Sequence, residues 1–144
     1  MKLPLFALIM ISFGCFSCKS QQQGYDDYKG KKITVGSGGG FTGAFDEFAV
    51  LENGKVFHFN SLSKQRVMLG KLDKNITDQV FANYKLLNIS EKKINAPGNM
   101  SYFVQFEDGN VRLKSVWSDL NSTDQQLLLF YRFVMNYIPR KDKS

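Results

Sequence analysis

Gly38, Gly40 and Gly43 stand at the spacing G-x-G-x-x-G, which lets a backbone wrap a dinucleotide pyrophosphate when it joins a strand to a helix. Lys32 to Gly36 before it read as a strand, but Ala44 to Leu51 after it alternate as a second strand. The helix N-terminus that a phosphate needs is therefore not expected. No Gly-Lys-Ser or Gly-Lys-Thr follows the glycines, which excludes a P-loop. His58, the only histidine, lies between Phe57 and Phe59 in a predicted strand and so faces away from both rings. Without a second imidazole for zinc or a serine elbow for a triad, it reads as a surface or partly satisfied side chain. Asp46-Glu47 and Glu107-Asp108 are sequence neighbours, which strands point to opposite faces, so neither pair forms an acid and base couple. The expectation is a non-enzyme with no metal and no cofactor.

The two cysteines suggest a different chemistry. Lys2 is followed by an apolar run from Leu3 to Phe16, shorter than the roughly 20 residues that span a bilayer, and then by Ser17-Cys18. This segment resembles a bacterial lipoprotein signal, in which the first mature residue is a cysteine carrying diacylglycerol. Cys18 follows Cys15-Phe16-Ser17 and Cys15 follows Ser12-Phe13-Gly14, so neither has the usual leucine. Small Ser17 and the polar stretch from Lys19 to Gln23 favour Cys18, with Cys15 or an ordinary cleaved signal as alternatives. If residues 1–17 leave and Cys18 is alkylated, no thiol remains for a disulfide, a zinc thiolate or a nucleophile. The only cofactor-like group expected is then the lipid itself, and the membrane is reached through it. Lys19 replaces the aspartate associated with inner-membrane retention in lipoproteins, so the outer membrane facing the periplasm is the expected location.

The rest of the chain must position whatever else acts. Residues 18–30 read as the lipidated cysteine and a flexible tether, with docking of Tyr25 and Tyr28 on the domain as the alternative. Residues 31–139 read as one domain and 140–144 as a basic tail. The formal charge of +6 is dispersed and falls to +5 when Lys2 departs, which argues for a solvated surface and against a nucleic-acid partner. Asn53-Gly54 joins two strands as a two-residue hairpin, and Asp108-Gly109 marks a turn between Tyr102–Glu107 and Val111–Trp117. Residues 75–87 have helical spacing with Asn75 or Thr77 as N-cap. Ser122 to Gln125 has capping-box spacing before a second helix that ends at Pro139. Arg66 to Leu69 is an ambiguous further strand. The order predicts an α+β domain, with an antiparallel sheet of about four to five strands and both helices on one face.

Ser37-Gly38-Gly39-Gly40-Phe41-Thr42-Gly43 after the first strand, Pro97-Gly98-Asn99 before Tyr102-Phe103-Val104, the Asp108-Gly109 turn, Trp117-Ser118-Asp119 and the closing helix together resemble emfourin-type domains. These are small protein inhibitors of thermolysin-fold zinc metallopeptidases of the protealysin type. The resemblance spans about Ile33 to Ile138 and implies a protein partner, a metallopeptidase; the domain itself is expected to be monomeric. The lipoprotein leader departs from that pattern. Physical reasoning offers two contact segments. Glycines let the backbone enter a cleft with Phe41 as its apolar anchor, or they serve a tight crossing with Phe41 packed inward. Pro97-Gly98-Asn99 is either a second contact loop or a plain turn. A structural or assembly lipoprotein of the envelope without inhibitory activity is the alternative function.

Overall fold

The computed structural model describes residues 24–118 and 124–140, and the leader, both cysteines, Ser122 and most of the basic tail lie outside that range. The fold is α+β. Its strands are β1 (Lys32–Gly39), β2 (Ala44–Leu51), β3 (Lys55–Asn60), β4 (Gln65–Lys71), β5 (Asn95–Ala96), β6 (Met100–Asp108) and β7 (Val111–Trp117). Helix α1 (Lys74–Leu86) follows β4, and α2 (Gln125–Tyr137) closes the chain. The sheet order is β4-β3-β2-β1-β6-β7-β5, with every neighbour antiparallel except the parallel pair of β5 and β7. Seven strands replace the four to five expected. The additions are the two edges, β4 and the two-residue β5, where one-sided pairing weakens the alternation that marks an interior strand.

Alternation decides the two faces. Ile33 and Val35 of β1, Val50 of β2, Val56 of β3, Val104 of β6 and Trp117 of β7 form one core with Val80 and Tyr84 of α1 and Leu127, Phe130, Tyr131 and Val134 of α2. Each such fully buried apolar side chain contributes roughly 1.5–3 kcal/mol relative to exposure. Trp117 packs edge-on to Tyr131 at 5.5 Å, and Tyr84 stacks on Phe106 at 4.8 Å. Both helices therefore cover the same face. On the opposite face Ala49, Leu51 and Phe57 form a smaller cluster covered by Tyr25 and Tyr28. Tyr25 meets Phe57 edge-on at 5.6 Å, and the Arg66 guanidinium lies 3.7 Å above the Tyr25 ring. The docked alternative is thus what residues 24–30 adopt, and these residues are a strap across the sheet.

Local signals moved at three places. The β2–β3 hairpin has a three-residue connection, Glu52 to Gly54, closed by the Gly54 N–H on the Leu51 carbonyl at 2.8 Å. Asp73, with no side-chain cap bond, precedes α1; Thr77 lies inside the helix and donates its hydroxyl to the Asp73 carbonyl at 3.0 Å. Asp124 caps α2, accepting the N–H groups of Gln126 and Leu127 at 2.9 and 3.1 Å. A carboxylate immediately before the helix reaches those donors, whereas Ser122 lies two residues further out.

Candidate functional site

The glycine run is mostly strand. Gly36 pairs with Phe103 on one side and Glu47 on the other, and Gly38 pairs with Ser101 and Phe45. A Cβ on Gly36 would stand 2.5 Å from the Phe103 ring, so the ring occupies the volume that a side chain would take. Ser37 belongs to the helix face, where it lies beside Tyr131 and partly offsets the upward push of burial on the phenol. The loop expected over residues 37–43 therefore shrinks to Gly40–Gly43, because pairing on both edges holds Ser37, Gly38 and Gly39 in β1. Across this four-residue turn the Gly43 N–H donates to the Gly40 carbonyl at 3.2 Å and the Ala44 N–H to the Thr42 hydroxyl at 3.3 Å. Phe41 projects from its tip, fully exposed at 108% of the reference area.

Antiparallel pairing of β1 with β6 brings the second expected segment beside the first. Gly39 pairs with Met100, and the Gly40 N–H donates to the Asn99 carbonyl at 2.6 Å. Gly39 has φ +123° and lies against the Asn99 carbonyl, a position closed to any side chain. Pro97, Gly98 and Asn99 are exposed, and Ser101 braces them: its hydroxyl accepts the Gly98 N–H at 3.1 Å and reaches the Gly98 carbonyl at 3.2 Å. The two segments form one edge-to-edge unit at one end of the sheet.

A third turn, residues 61–64, joins the same end and was not anticipated as part of it. The Ser61 N–H donates to the Phe45 carbonyl at 3.0 Å, while the Phe45 N–H donates to the Ser61 hydroxyl at 2.8 Å. Below it, Asp46 Oδ1 accepts His58 Nε2–H at 2.7 Å and the Asn60 amide at 2.9 Å, and Asn60 Oδ1 in turn accepts the N–H groups of Leu62 and Ser63. Partial burial pushes the Asp46 carboxyl up, but the bonds from Asn60 and His58 outweigh it and hold Asp46 below its ordinary range. His58 also stacks on Phe48 at 4.7 Å. Its role in this geometry is to brace the turn.

Apolar side chains crown this end: Phe41, Leu62 at 68% exposure, Met100 at 42% and Phe45 at 37%. Leu62 and Met100 escaped the sequence reading because each is a single apolar residue beside polar turn residues. The only signal was their position next to a turn. Glu47 points to the other face toward Arg66, and Glu107 pairs with Lys32 at 3.1 Å and Arg112 at 2.9 Å, so the neighbouring carboxylates are spent separately. Among the described residues no group of three or more His, Cys, Asp or Glu side chains is placed to hold a metal ion. No helix of the described residues is long and apolar enough to cross a membrane. No protein-family model matches the chain, and no curated protein matches it.

Proposed function

We propose that this chain is an envelope lipoprotein, anchored through lipid on Cys18 to the outer membrane facing the periplasm, whose domain is a monomeric protein-binding module. The observation that carries the reading is Phe41, an unburied aromatic ring on a four-residue turn whose flanks are fixed by both neighbouring strands. Exposing such a ring to water is unfavourable by itself, whereas a preorganised apolar anchor loses little freedom on binding. Met100, Leu62 and the Pro97-Gly98-Asn99 loop supply the rim around it. The domain has no catalytic role in this reading and takes no cofactor other than the covalent lipid.

The resemblance to emfourin-type domains makes a thermolysin-like zinc metallopeptidase the partner to test first, since such enzymes accept bulky apolar groups next to the scissile bond. Inhibition of several such peptidases by the wild-type domain and by Phe41→Ala is the direct assay. Inhibition weakened roughly thirtyfold or more in Phe41→Ala supports the reading. Absence of inhibition by the wild type across the panel leaves a structural or assembly role in the envelope as the better account. Membrane fractionation of Cys18→Ser beside Cys15→Ser tests the anchor: release or blocked processing should follow only the first.

A further inference from the structure

The open face of the sheet is covered unevenly. Tyr25 and Tyr28 lie over Ala49, Leu51 and Phe57, and Tyr25 is held by Arg66 and by Lys32, whose ammonium is 4.6 Å from its ring. Beyond the strap, toward the Phe41 turn, a groove of about 230 Å³ is floored by Gly38, Phe45, Phe103 and Val116. Glu47 stands at its β2 side and Lys114 at its β7 side. The two charges differ in their company. Glu47 faces Arg66 at 3.9 Å, and the nearby Glu107 is taken by Lys32 and Arg112. The Lys114 ammonium lies 4.1 Å above the Phe103 ring, and no carboxylate among the described residues forms an ion pair with it.

We propose that this groove receives an apolar side chain of the partner protein whose neighbouring residue places a carboxylate on Lys114, so that the partner segment is apolar and acidic. This rests on reading the loop end as a protein-docking surface. The groove opens beside the turn, sharing Gly43 with it and Gly39 with the strand that leads into it, so a chain engaged by Phe41 lies next to the groove. Its volume is below the roughly 300–1,000 Å³ of small-molecule sites and suits one large side chain. Apolar burial supplies the affinity. The unpaired ammonium over an aromatic floor selects the sign of charge beside it and steers the approach.

The test uses the chain from residue 18 onward carrying Cys18→Ser, isotope-labelled for nuclear magnetic resonance, with two blocked dipeptides as probes: acetyl-Phe-Glu-amide and acetyl-Phe-Gln-amide. The expected result is shifts at the amides of Phe45, Phe103 and Val116, with the acidic probe binding roughly threefold more tightly. Lys114→Gln should abolish that preference while leaving the remaining amides in place. Equal binding of the two probes, or shifts confined to other surfaces, overturns the proposal. It is also overturned if deleting residues 18–23 moves the same amides without any probe, because the chain's own segment then fills the groove. The dipeptides report on the groove alone and the peptidase panel on the Phe41 turn, so failure in the groove is distinguishable from failure of the docking turn.

Discussion

A methyl group on Gly36 has no room, because the Phe103 ring and the Asp46 carbonyl already occupy its place. Gly36→Ala should therefore cost roughly 1–3 kcal/mol of folding stability as strands shift to admit it, read as a lower denaturant midpoint. Phe41→Ala should behave oppositely, changing stability by less than about 0.5 kcal/mol, since the side chain is solvent-exposed. Phe41 was legible in the sequence as the lone aromatic among glycines, but whether it faced in or out was not. That depends on Met100 and Asn99, about sixty residues away, which fix the end of β1 through backbone pairing that leaves no sequence mark. The glycines misled for the same reason: Gly38 and Gly39 read as loop, and backbone pairing with β2 and β6 makes them strand.

Helix α2 depends at its start on Asp124, which accepts two backbone donors and pairs with Lys92 at 3.0 Å. The Lys92 bond chiefly holds its carboxyl below the ordinary range, against a smaller upward push from burial, with the Leu127 and Gln126 N–H groups adding to the lowering. A carboxyl whose folded pKa is depressed stabilises fully above its ordinary value of 3.8, and the contribution disappears as pH falls through the folded value. Asp124→Ala should cost about 1–2 kcal/mol at neutral pH, whereas Asp124→Asn keeps the cap and loses only the ion pair. Urea unfolding of both variants at pH 7 and pH 3 checks this, the difference from wild type shrinking at the lower pH. Both helices and the central hairpins were legible, because their periods are set by residues that face one core. The edge strands were less so: β4 read only as an ambiguous strand over Arg66 to Leu69, where Arg66, Val67 and Met68 follow in succession, and β5 is two exposed residues held by parallel pairing to Val116 and Trp117.

Across the whole molecule, the strap begins at residue 24 and so limits the reach from the anchor proposed at Cys18. With Tyr25 docked, the stretch from Cys18 to Gly24 reaches at most about 20 Å at roughly 3.4 Å per residue. Tyr25→Ala removes an edge-on aromatic pair and two cation contacts, and should cost roughly 1–2 kcal/mol of stability. Trp117, buried at 2% exposure against α2, supplies the readout, its emission shifting to the red as the core opens. The strap also leaves the loop end uncovered, as the docking role proposed for it requires. A photo-crosslinking residue placed at position 41 of the full chain in intact cells, with position 111 on the β6–β7 hairpin as the exposed control, tests that central claim most directly. A discrete protein adduct from position 41 that position 111 does not give is the predicted result; no adduct from 41, or the same adducts from both positions, would contradict it.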